Sequence, residues 1–502
     1  MSAEDSQPEK TSYIQALKAT AQIGGSSIVN IVFGIIRTKV VAILLGPSGV
    51  GLMSLYNMII DLTQSFACLG VPNSGVRQIA EAAGTGDARK IASTTIILRR
   101  MSFVLGLLGA FLLVVLSLPI SEFTFSDDQQ ALGVALLAIA VFFRIVSAGQ
   151  ATLIQGMRRI SDLALMNVIS AFLATIVSIA IIIYFGEAGI VFALIGMALV
   201  SCLVSWYFSR KVLLTECSLP LRDMQSEAVK LLRLGLAFMA SGLLTLGAAY
   251  VIRIIIVRTS GVDAAGLYQA AWVLGGLYTG VVLQAMGTDF YPRLTAVADD
   301  NGQCNRLVND QAQVSVLLAG PGVIATLTFA PLIMRLFYSA EFYPAVDLLR
   351  WICLGMMLRI VAWPMGFVVL AKNAQKIFLW TEVAATAVHI GGAWLFIGYF
   401  GVDGAGIAFF ALYGWHSVLI YFVTRRLSGF RWSRLNLKIG SCYLAIVAIV
   451  FGGFVILPTI IATTLGALAM ICTGLFSLRA FLTLCPPKLI PAVIRPWIPR
   501  SV

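Results

Sequence analysis

Charged residues are scarce in this sequence. They make up 12% of its 502 positions, whereas hydrophobic residues make up 59%. A soluble protein carries roughly a quarter charged residues. No stretch between the apolar runs exceeds about 25 residues, which leaves too little chain for a separate water-soluble domain. The lipid bilayer is therefore the expected solvent.

The motifs of several functional classes are also missing. The eight cysteines form no CxxC pair, so neither a zinc site nor a disulfide framework is expected. No GxxxxGK[ST] segment occurs, which excludes a P-loop ATPase in this chain. The formal net charge is +12, but the Lys and Arg residues lie in short clusters between apolar runs rather than on one basic face. We therefore expect no metal, no cofactor and no nucleic-acid partner.

What the sequence does contain is a series of long apolar runs. A helix needs about 20 apolar residues to cross the hydrocarbon core of a bilayer, and its backbone groups must be hydrogen-bonded within the segment. The sequence therefore predicts an all-α, polytopic membrane protein of about fourteen transmembrane helices. The predicted spans lie near 19–45, 49–71, 91–119, 131–155, 163–185, 188–209, 232–257, 264–288, 311–337, 345–371, 378–399, 404–424, 438–457 and 460–484.

Lys and Arg residues are distributed unequally between alternate loops. If the amino terminus is cytoplasmic, every cytoplasmic loop contains basic residues. The loops on the other side then contain almost none, apart from Arg258 and Arg335 at the ends of spans. Cytoplasmic loops of membrane proteins carry an excess of Lys and Arg. This asymmetry predicts that both termini are cytoplasmic.

Short motifs recur at a constant spacing. Arg-Ile-Val at Arg144 recurs at Arg359, and Gly-Leu at Gly51 recurs at Gly266, so that both pairs are separated by the same distance along the chain. This spacing predicts a duplicated six-helix unit, and an even helix number gives two parallel repeats with a substrate site expected between them. The predicted divisions are an N-terminal lobe at 1–211, a cytoplasmic linker at 212–231, a C-terminal lobe at 232–426 and an additional helical hairpin at 438–484.

Basic residues inside predicted spans are the first candidates for function. Arg144 and Arg359 lie near the middle of their spans, where an arginine costs at least about 2.5–3.5 kcal/mol to insert. Guanidinium groups bind phosphate oxygens in a bidentate manner, although a structural ion pair is the alternative. Arg37, Lys39 and Arg253 would extend a basic lining towards the outer face, unless they reach the lipid headgroups instead.

Acidic and titratable residues are fewer. Asp61 and Glu382 are candidates for neutralising an arginine or binding a coupling cation. His389 and His416 lie at similar distances on either side of a turn near Val402, which predicts that they meet on adjacent antiparallel helices. Histidine titrates near neutrality, so a proton-coupled step is one interpretation. A hydrogen bond between two helices is the other.

Three segments carry a resemblance to a known family. The segments 45–52 (LGPSGVGL), 290–294 (FYPRL) and 369–383 resemble those of the bacterial O-antigen and enterobacterial-common-antigen translocases, the Wzx-type flippases of the multidrug/oligosaccharidyl-lipid/polysaccharide (MOP) superfamily. The similarity covers about residues 11–426. The last two spans, about 438–484, resemble those of the fourteen-helix members.

The resemblance implies a specific activity. Family members transfer an undecaprenyl-pyrophosphate-linked oligosaccharide, such as an O-antigen repeat unit, across the bacterial inner membrane. They use a basic cavity between two six-helix lobes, which by position implies Arg37, Arg144, Arg253 and Arg359 as pyrophosphate-binding residues. We expect membrane lipids, a glycan polymerase and other assembly proteins as partners, and a monomeric protein.

Two other functions are weighed against this one. A cation-coupled multidrug exporter of the same superfamily should have more acidic than basic cavity residues, and here the reverse holds. A membrane polymerase or ligase acting on the same lipid would need a sizeable outer loop with catalytic side chains. The longest predicted outer loop, about 119–131, is short and contains neither Arg nor His.

Overall fold

The computed structural model describes residues 7–85, 88–212 and 221–484. Helices account for all the regular secondary structure in these ranges, which confirms the predicted all-α fold class. The chain divides into two compact units, Met1–Gly266 and Leu267–Val502. The predicted linker at 212–231 falls partly outside the described residues, since 213–220 are not among them, and a helix already begins at Leu221.

The first half of the chain begins with a long broken helix. It is interrupted at Gly46 (φ 65°, ψ −163°), directly before Pro47. Pro47 lacks the N–H that a continuous helix would use there. Helix α1 therefore supplies two crossings. The helices of this half are α1 (Gln7–Ala67), α2 (Val71–Thr85), α3 (Ala88–Val115), α4 (Ser117–Phe125), α5 (Ala131–Gly156), α6 (Ile160–Phe185) and α7 (Gly189–Ser209).

A second long broken helix, α8, crosses the boundary between the two units, since Gly266 is the last residue of the first unit. Helix α8 is interrupted at Gly261 (φ 87°, ψ 174°) and is followed by a π-helical turn at Met286–Phe290. The elements are α8 (Leu221–Ala285), α9 (Tyr291–Ala296), α10 (Asn301–Thr328), α11 (Ala330–Phe337), α12 (Ala345–Ala371), α13 (Gln375–Phe400), α14 (Asp403–Ser428), α15 (Arg434–Ile456) and α16 (Thr459–Leu484).

Eleven helical stretches in the described residues are long and apolar enough to cross a membrane. Three of them, Gly24–Ala67, Ile160–Ser209 and Gly242–Gln284, have 43 to 50 residues. At about 1.5 Å per residue each is roughly twice the 30 Å thickness of the hydrocarbon core. Counted as two crossings each, they bring the total to the fourteen predicted. The chain is a multi-pass membrane protein.

The internal repeat is visible in the turns as well as in the sequence. Gly46 and Gly261, separated by the same spacing as Arg144 and Arg359, both break a long helix with positive φ. Gly186 and Gly401, again at that spacing, have nearly the same dihedrals, φ 58° and ψ −138° against φ 61° and ψ −143°. L-residues with side chains rarely adopt positive φ, so glycine is favoured at these turns. The two halves of the chain thus share their turn geometry.

One predicted span is wrong in its position. The predicted span 311–337 crosses a break, because helix α10 ends at Thr328 and α11 begins at Ala330 with Pro331 in its first turn. The crossing helix instead begins at Asn301, where the preceding Asp300 accepts a hydrogen bond from the Gln303 backbone N–H. A capping side chain favours the start of a helix at a position that hydropathy does not mark. The prediction used only the apolar run, so both predicted ends were wrong.

Two further spans end earlier than predicted. The span near 49–71 stops at Ala67, because Leu69 and Gly70 have positive φ. The span near 91–119 stops at Val115, and the short helix α4 follows it. In both places a local turn interrupts an apolar run that is otherwise continuous.

The two additional helices are fixed to the second unit by polar and aromatic contacts. Asn436 of α15 donates through Nδ2 to the backbone oxygen of Asn309 in α10, at 2.7 Å. Trp351 of α12 packs on Phe451 of α15 with ring centroids 4.7 Å apart. The Tyr443 hydroxyl of α15 lies 2.6 Å from the Ser477 hydroxyl of α16. The hairpin α15–α16 is therefore an integral part of this unit.

Candidate functional site

In the first unit, Arg144 lies near the middle of α5 and forms an ion pair. Its Nη2 atom is 2.7 Å from Oδ1 of Asp61, which lies in the second half of α1. The two side chains are 35% and 36% exposed, so the pair is accessible from outside the packed core. The arginine and the carboxylate that were singled out separately in the sequence thus meet in space.

Arg37 lies in the first half of α1 and is largely surrounded by protein. Its Nη1 atom is 3.6 Å from the sulfur of Met197 in α7, which is a weak acceptor. Its Nε atom is buried and has no hydrogen-bond partner among the described residues. Lys39 is half-buried two positions further along, so it projects from a different side of α1.

Arg253 in α8 is the most buried of the sequence-predicted arginines, with 5% of its surface exposed. Its Nη1 atom donates to the backbone oxygen of Ala249, one turn earlier in the same helix, at 2.9 Å. Close by in sequence, the hydroxyl of Tyr250 lies 2.5 Å from that of Thr124. Arg253 therefore lies inside the packing of the first unit.

Arg359 of α12 has a different environment from its repeat counterpart Arg144. Its guanidinium lies 4.7 Å from the ring centroid of Trp363 and 5.7 Å from that of Tyr413. Position 276, which corresponds to Asp61 at the repeat spacing, is a glycine. Within the described part of the chain Arg359 forms no ion pair with a carboxylate, and its buried Nε has no hydrogen-bond partner. Aromatic rings hold this arginine in place.

Glu382 and His416 line one cavity of about 100 Å³ among α12, α13 and α14. The Arg359 guanidinium interacts electrostatically with both. Trp363 and Tyr413 belong to the walls of the same cavity. The structure therefore brings four side chains with different chemistry around Arg359.

The two histidines lie on adjacent helices, as the hairpin pattern predicts. His389 packs on the ring of Phe409 at 5.9 Å, and His416 packs on that of Tyr413 at 5.9 Å. Phe409 and Tyr413 contact each other at 5.0 Å. No hydrogen bond joins the two imidazoles in the part of the chain described. The histidines are thus linked through two aromatic rings.

Sequence reasoning missed one buried cation, Arg350. It is 8% exposed, pairs with Asp347 at 2.8 Å and lies 3.8 Å above the ring of Phe454. The spacing of Asp347 and Arg350 by three residues on a helix was an available signal. The contact with Phe454 could not be predicted from the sequence, because it joins α12 to the additional hairpin.

Similarity to known proteins agrees with this architecture. Residues 40–347 match the family described as "Polysaccharide biosynthesis protein", which is more than half of the chain. The chain belongs to this family. It is 24% identical over 421 residues to the lipid III flippase of Escherichia coli (strain K12), covering 81% of this chain and 96% of that protein.

Solved structures with the same fold include two transporter types. The lipid II flippase MurJ in an inward closed conformation superposes with a TM-score of 0.68 at 14% identity, covering 92% of this chain and 99% of that one. An inward-facing multidrug resistance MATE family transporter of the MOP superfamily gives 0.67 at 16% identity, covering 82% and 98%. The MOP fold and the resemblance identified in the sequence are thereby confirmed.

Proposed function

We propose that this protein is a flippase for lipid-linked oligosaccharide. Its substrate is an undecaprenyl-pyrophosphate-linked glycan repeat unit, of the O-antigen kind or a related one. The protein moves it across the bacterial inner membrane by alternating access, with both termini in the cytoplasm. The family match and the similarity along nearly the whole length of a lipid III flippase support this proposal.

The observation that carries the proposal is the set of arginines within apolar helices. Arg37 and Arg359 each have a buried Nε atom without a hydrogen-bond partner among the described residues. Arg253 and Arg350 share this feature, so the stronger support is the cost of placing an arginine within an apolar helix unless a partner compensates its charge. Diphosphate oxygens would compensate that charge, and guanidinium groups bind them in a bidentate manner. Lys39 and Arg253 remain further candidates.

Asp61 has a place in this mechanism as the resting counterion of Arg144. An arginine within an apolar helix needs a compensating charge when no substrate is present, and the 2.7 Å ion pair supplies it. A phosphate that binds Arg144 would replace the carboxylate. Glu382 is a candidate for the same charge-balancing role around Arg359, and Glu382, His389 and His416 are candidates for coupling transport to a proton or other cation.

A multidrug exporter is the alternative, because a MATE transporter has the same fold. The side chains favour the flippase. Arginines outnumber carboxylates among the candidates within the apolar helices, and a guanidinium repels a cationic drug but attracts a diphosphate. The lipid-linked precursor is therefore the better match, with a glycan polymerase and other assembly proteins as the expected partners of a monomeric flippase.

Deletion of the gene in its native host tests this function. We expect lipid-linked oligosaccharide to accumulate in the inner leaflet and surface glycan to disappear, and the restored gene to reverse both effects. Drug sensitivity is measured in the same strains as a control. An unchanged distribution of lipid-linked oligosaccharide together with increased drug sensitivity would establish the exporter instead.

A further inference from the structure

The ends of helices α7 and α14 contain the same sequence pattern. Two adjacent aromatic residues are followed, one helical turn later, by two adjacent basic residues. The pattern comprises Trp206, Tyr207, Arg210 and Lys211 in α7 and, at the repeat spacing, Tyr421, Phe422, Arg425 and Arg426 in α14. None of these residues belongs to the proposed pyrophosphate site. A pattern present at the same place in both repeats indicates a role that the two helix ends share.

In the first unit, aromatic rings hold both cations at the end of α7. The Arg210 guanidinium lies 4.4 Å from the ring centroid of Trp206. The Lys211 amine lies 4.8 Å from the centroid of Tyr207 and 4.3 Å from that of Phe208. A cation over an aromatic ring is attracted by its electron-rich face. The two positive charges are therefore kept together at the end of the helix.

The contacts with the rings leave hydrogen-bond donors of both cations available. A guanidinium that lies over a ring still has N–H donors in its own plane, and an ammonium has three donors. Arg210 and Lys211 are exposed. In the described ranges 7–85, 88–212 and 221–484, neither residue is ion-paired with a carboxylate or donates a side-chain hydrogen bond. An anion can therefore reach these donors from outside the protein.

The aromatic residues indicate the depth of this group in the membrane. Trp and Tyr are enriched at membrane–water interfaces, where their rings lie at the level of the lipid headgroups. Trp206 and Tyr207 are exposed in the last turn of a helix that is apolar enough to cross the membrane. Arg99 of α3 adds a third positive charge, because its Nη2 atom donates to the backbone oxygen of Ser209 at 3.3 Å. The cations therefore lie at the level of lipid phosphates.

An exposed apolar stripe runs along each helix towards its basic end. Leu199 and Leu203 precede Trp206 at a spacing that places all three on one face of α7, and all three are exposed. A similar exposed stripe on α14 consists of Trp415, Val418 and Phe422. Each stripe lies at the depth of lipid acyl chains, next to cations at the depth of lipid headgroups.

We propose that each of these two helix ends binds one anionic phospholipid, with its acyl chains along the apolar stripe. The lipid phosphate accepts hydrogen bonds from Arg210 and Lys211 at the end of α7, and from Arg425 and Arg426 at the end of α14. A free phosphate would meet the cations but not the stripe. A zwitterionic lipid carries an ammonium group that the cations repel. The two features together favour a lipid with a net negative charge.

Native mass spectrometry of the full-length protein in detergent tests this inference, because it counts bound lipids. The protein is titrated with phosphatidylglycerol, which is anionic, and with phosphatidylethanolamine of the same acyl chains. We expect the wild-type protein to retain two phosphatidylglycerol molecules tightly and to bind phosphatidylethanolamine more weakly. Arg210→Gln with Lys211→Gln should weaken one of the two sites about twenty- to thirtyfold, because each basic residue near a membrane surface contributes roughly fivefold.

The second helix end and a matched control complete the test. Arg425→Gln with Arg426→Gln should likewise leave one tight site, and the four changes together should leave none. Arg293→Gln with Arg306→Gln removes the same charge from two other exposed arginines and should retain both sites.

Four results would overturn the lipid sites. These are equal binding of the two lipids by the wild-type protein, an unchanged number of tight sites in the variants, an equal loss in the control, and displacement of phosphatidylglycerol by soluble glycerol phosphate. The last result would show that the cations bind a phosphate without using the apolar stripe.

Discussion

Oδ1 of Asp61 lies 2.7 Å from Nη2 of Arg144, in an ion pair that joins α1 to the middle of α5. About a third of each side chain is exposed. The Asp61 carboxylate is therefore accessible enough for a phosphate to take its place beside Arg144.

Replacement of Arg144 tests whether the pair serves transport or only structure. We expect Arg144→Ala to abolish surface glycan export at a normal protein level in the membrane, because a diphosphate contact is lost while the fold loses little. The double exchange Arg144→Asp with Asp61→Arg restores an ion pair and should still fail to export. Surface glycan and membrane protein level are measured by immunoblot.

The matched control is a second arginine–aspartate pair in the same unit. Arg159 and Asp162 are 2.6 Å apart at the start of α6, and Arg159→Ala should export at close to the wild-type level. Full glycan display by Arg144→Ala, or rescue by the double exchange, would assign the Arg144 pair a purely structural role.

The contribution of Arg359 to transport should depend on the planar shape of its guanidinium as well as on its charge. Arg359→Lys keeps the positive charge but loses the stack on Trp363 and the bidentate geometry. A desolvated cation–π contact contributes about 1–2 kcal/mol, so we expect transport of labelled lipid in proteoliposomes to slow about tenfold. Arg293→Lys, at an exposed pair with Asp289, is the control. Unchanged transport by Arg359→Lys would mean that charge alone is needed at this position.

The sequence predicted which residues carry charge within the helices, but not how each is neutralised. Arg144 and Arg359 have the same motif and the same place in their repeats. Their partners differ because Asp61 has a glycine as its repeat counterpart, whereas Trp363 and Tyr413 surround only the second arginine. The contacts with Asp61 and Tyr413 join helices distant in sequence, about which hydropathy carries no information. Trp363 lies one turn after Arg359 on the same helix.

The same limit applies to the helix ends. Apolar runs of sufficient length located the crossings, because length in lipid is dictated by bilayer thickness. The turns follow from local backbone geometry. Arg158 and Asn373, which are related by the repeat spacing, both adopt positive φ, at 54° and 52°. Because arginine and asparagine are different residue types, comparison of the two repeats in the sequence does not detect the shared turn.

The histidines of α13 and α14 provide a test of coupling. Imidazole exchanges a proton near neutral pH, whereas the amide of glutamine does not. If transport is coupled to protons through these groups, the double replacement His389→Gln and His416→Gln should alter the pH dependence of the transport rate between about pH 5 and 8. Rates are measured in proteoliposomes over this range. An unaltered profile would favour a purely packing role against Phe409 and Tyr413.

The stability that the helix cap at the start of α10 contributes should depend on pH. This cap lies outside the membrane-spanning segment. The backbone N–H and side-chain amide of Gln303 donate to the Asp300 carboxylate at 3.0 and 2.9 Å, and these hydrogen bonds lower the pKa of Asp300. A lowered pKa stabilises the folded state above the ordinary value of about 4, and this contribution is lost as the pH falls through the lowered pKa.

We therefore expect Asp300→Ala to lower the melting temperature at pH 7 and to have a smaller effect near pH 3. Thermal unfolding of the purified protein in detergent measures both values. Asp299→Ala changes the preceding aspartate, which does not cap the helix, and is the control. A difference between Asp300→Ala and the wild-type protein that stays the same at both pH values would contradict this role of the carboxylate.

Gly51 and Gly266, the first pair of repeat-related glycines identified in the sequence, contact each other in the first unit. A Cβ at Gly51 would meet the backbone oxygen of Val262 and the backbone nitrogen of Gly266, and a Cβ at Gly266 would meet the backbone oxygen of Pro47. Backbone atoms cannot move aside as a flexible side chain can. We expect Gly51→Ala to reduce the free energy of unfolding by about 1–3 kcal/mol, as overpacking typically does, and to lower the melting temperature and the amount of folded protein.

Gly34→Ala is the control, because no atom lies within 4 Å of the added Cβ, and it should leave both quantities unchanged. Equal stability of the two variants would mean that the close approach of the helices is not required.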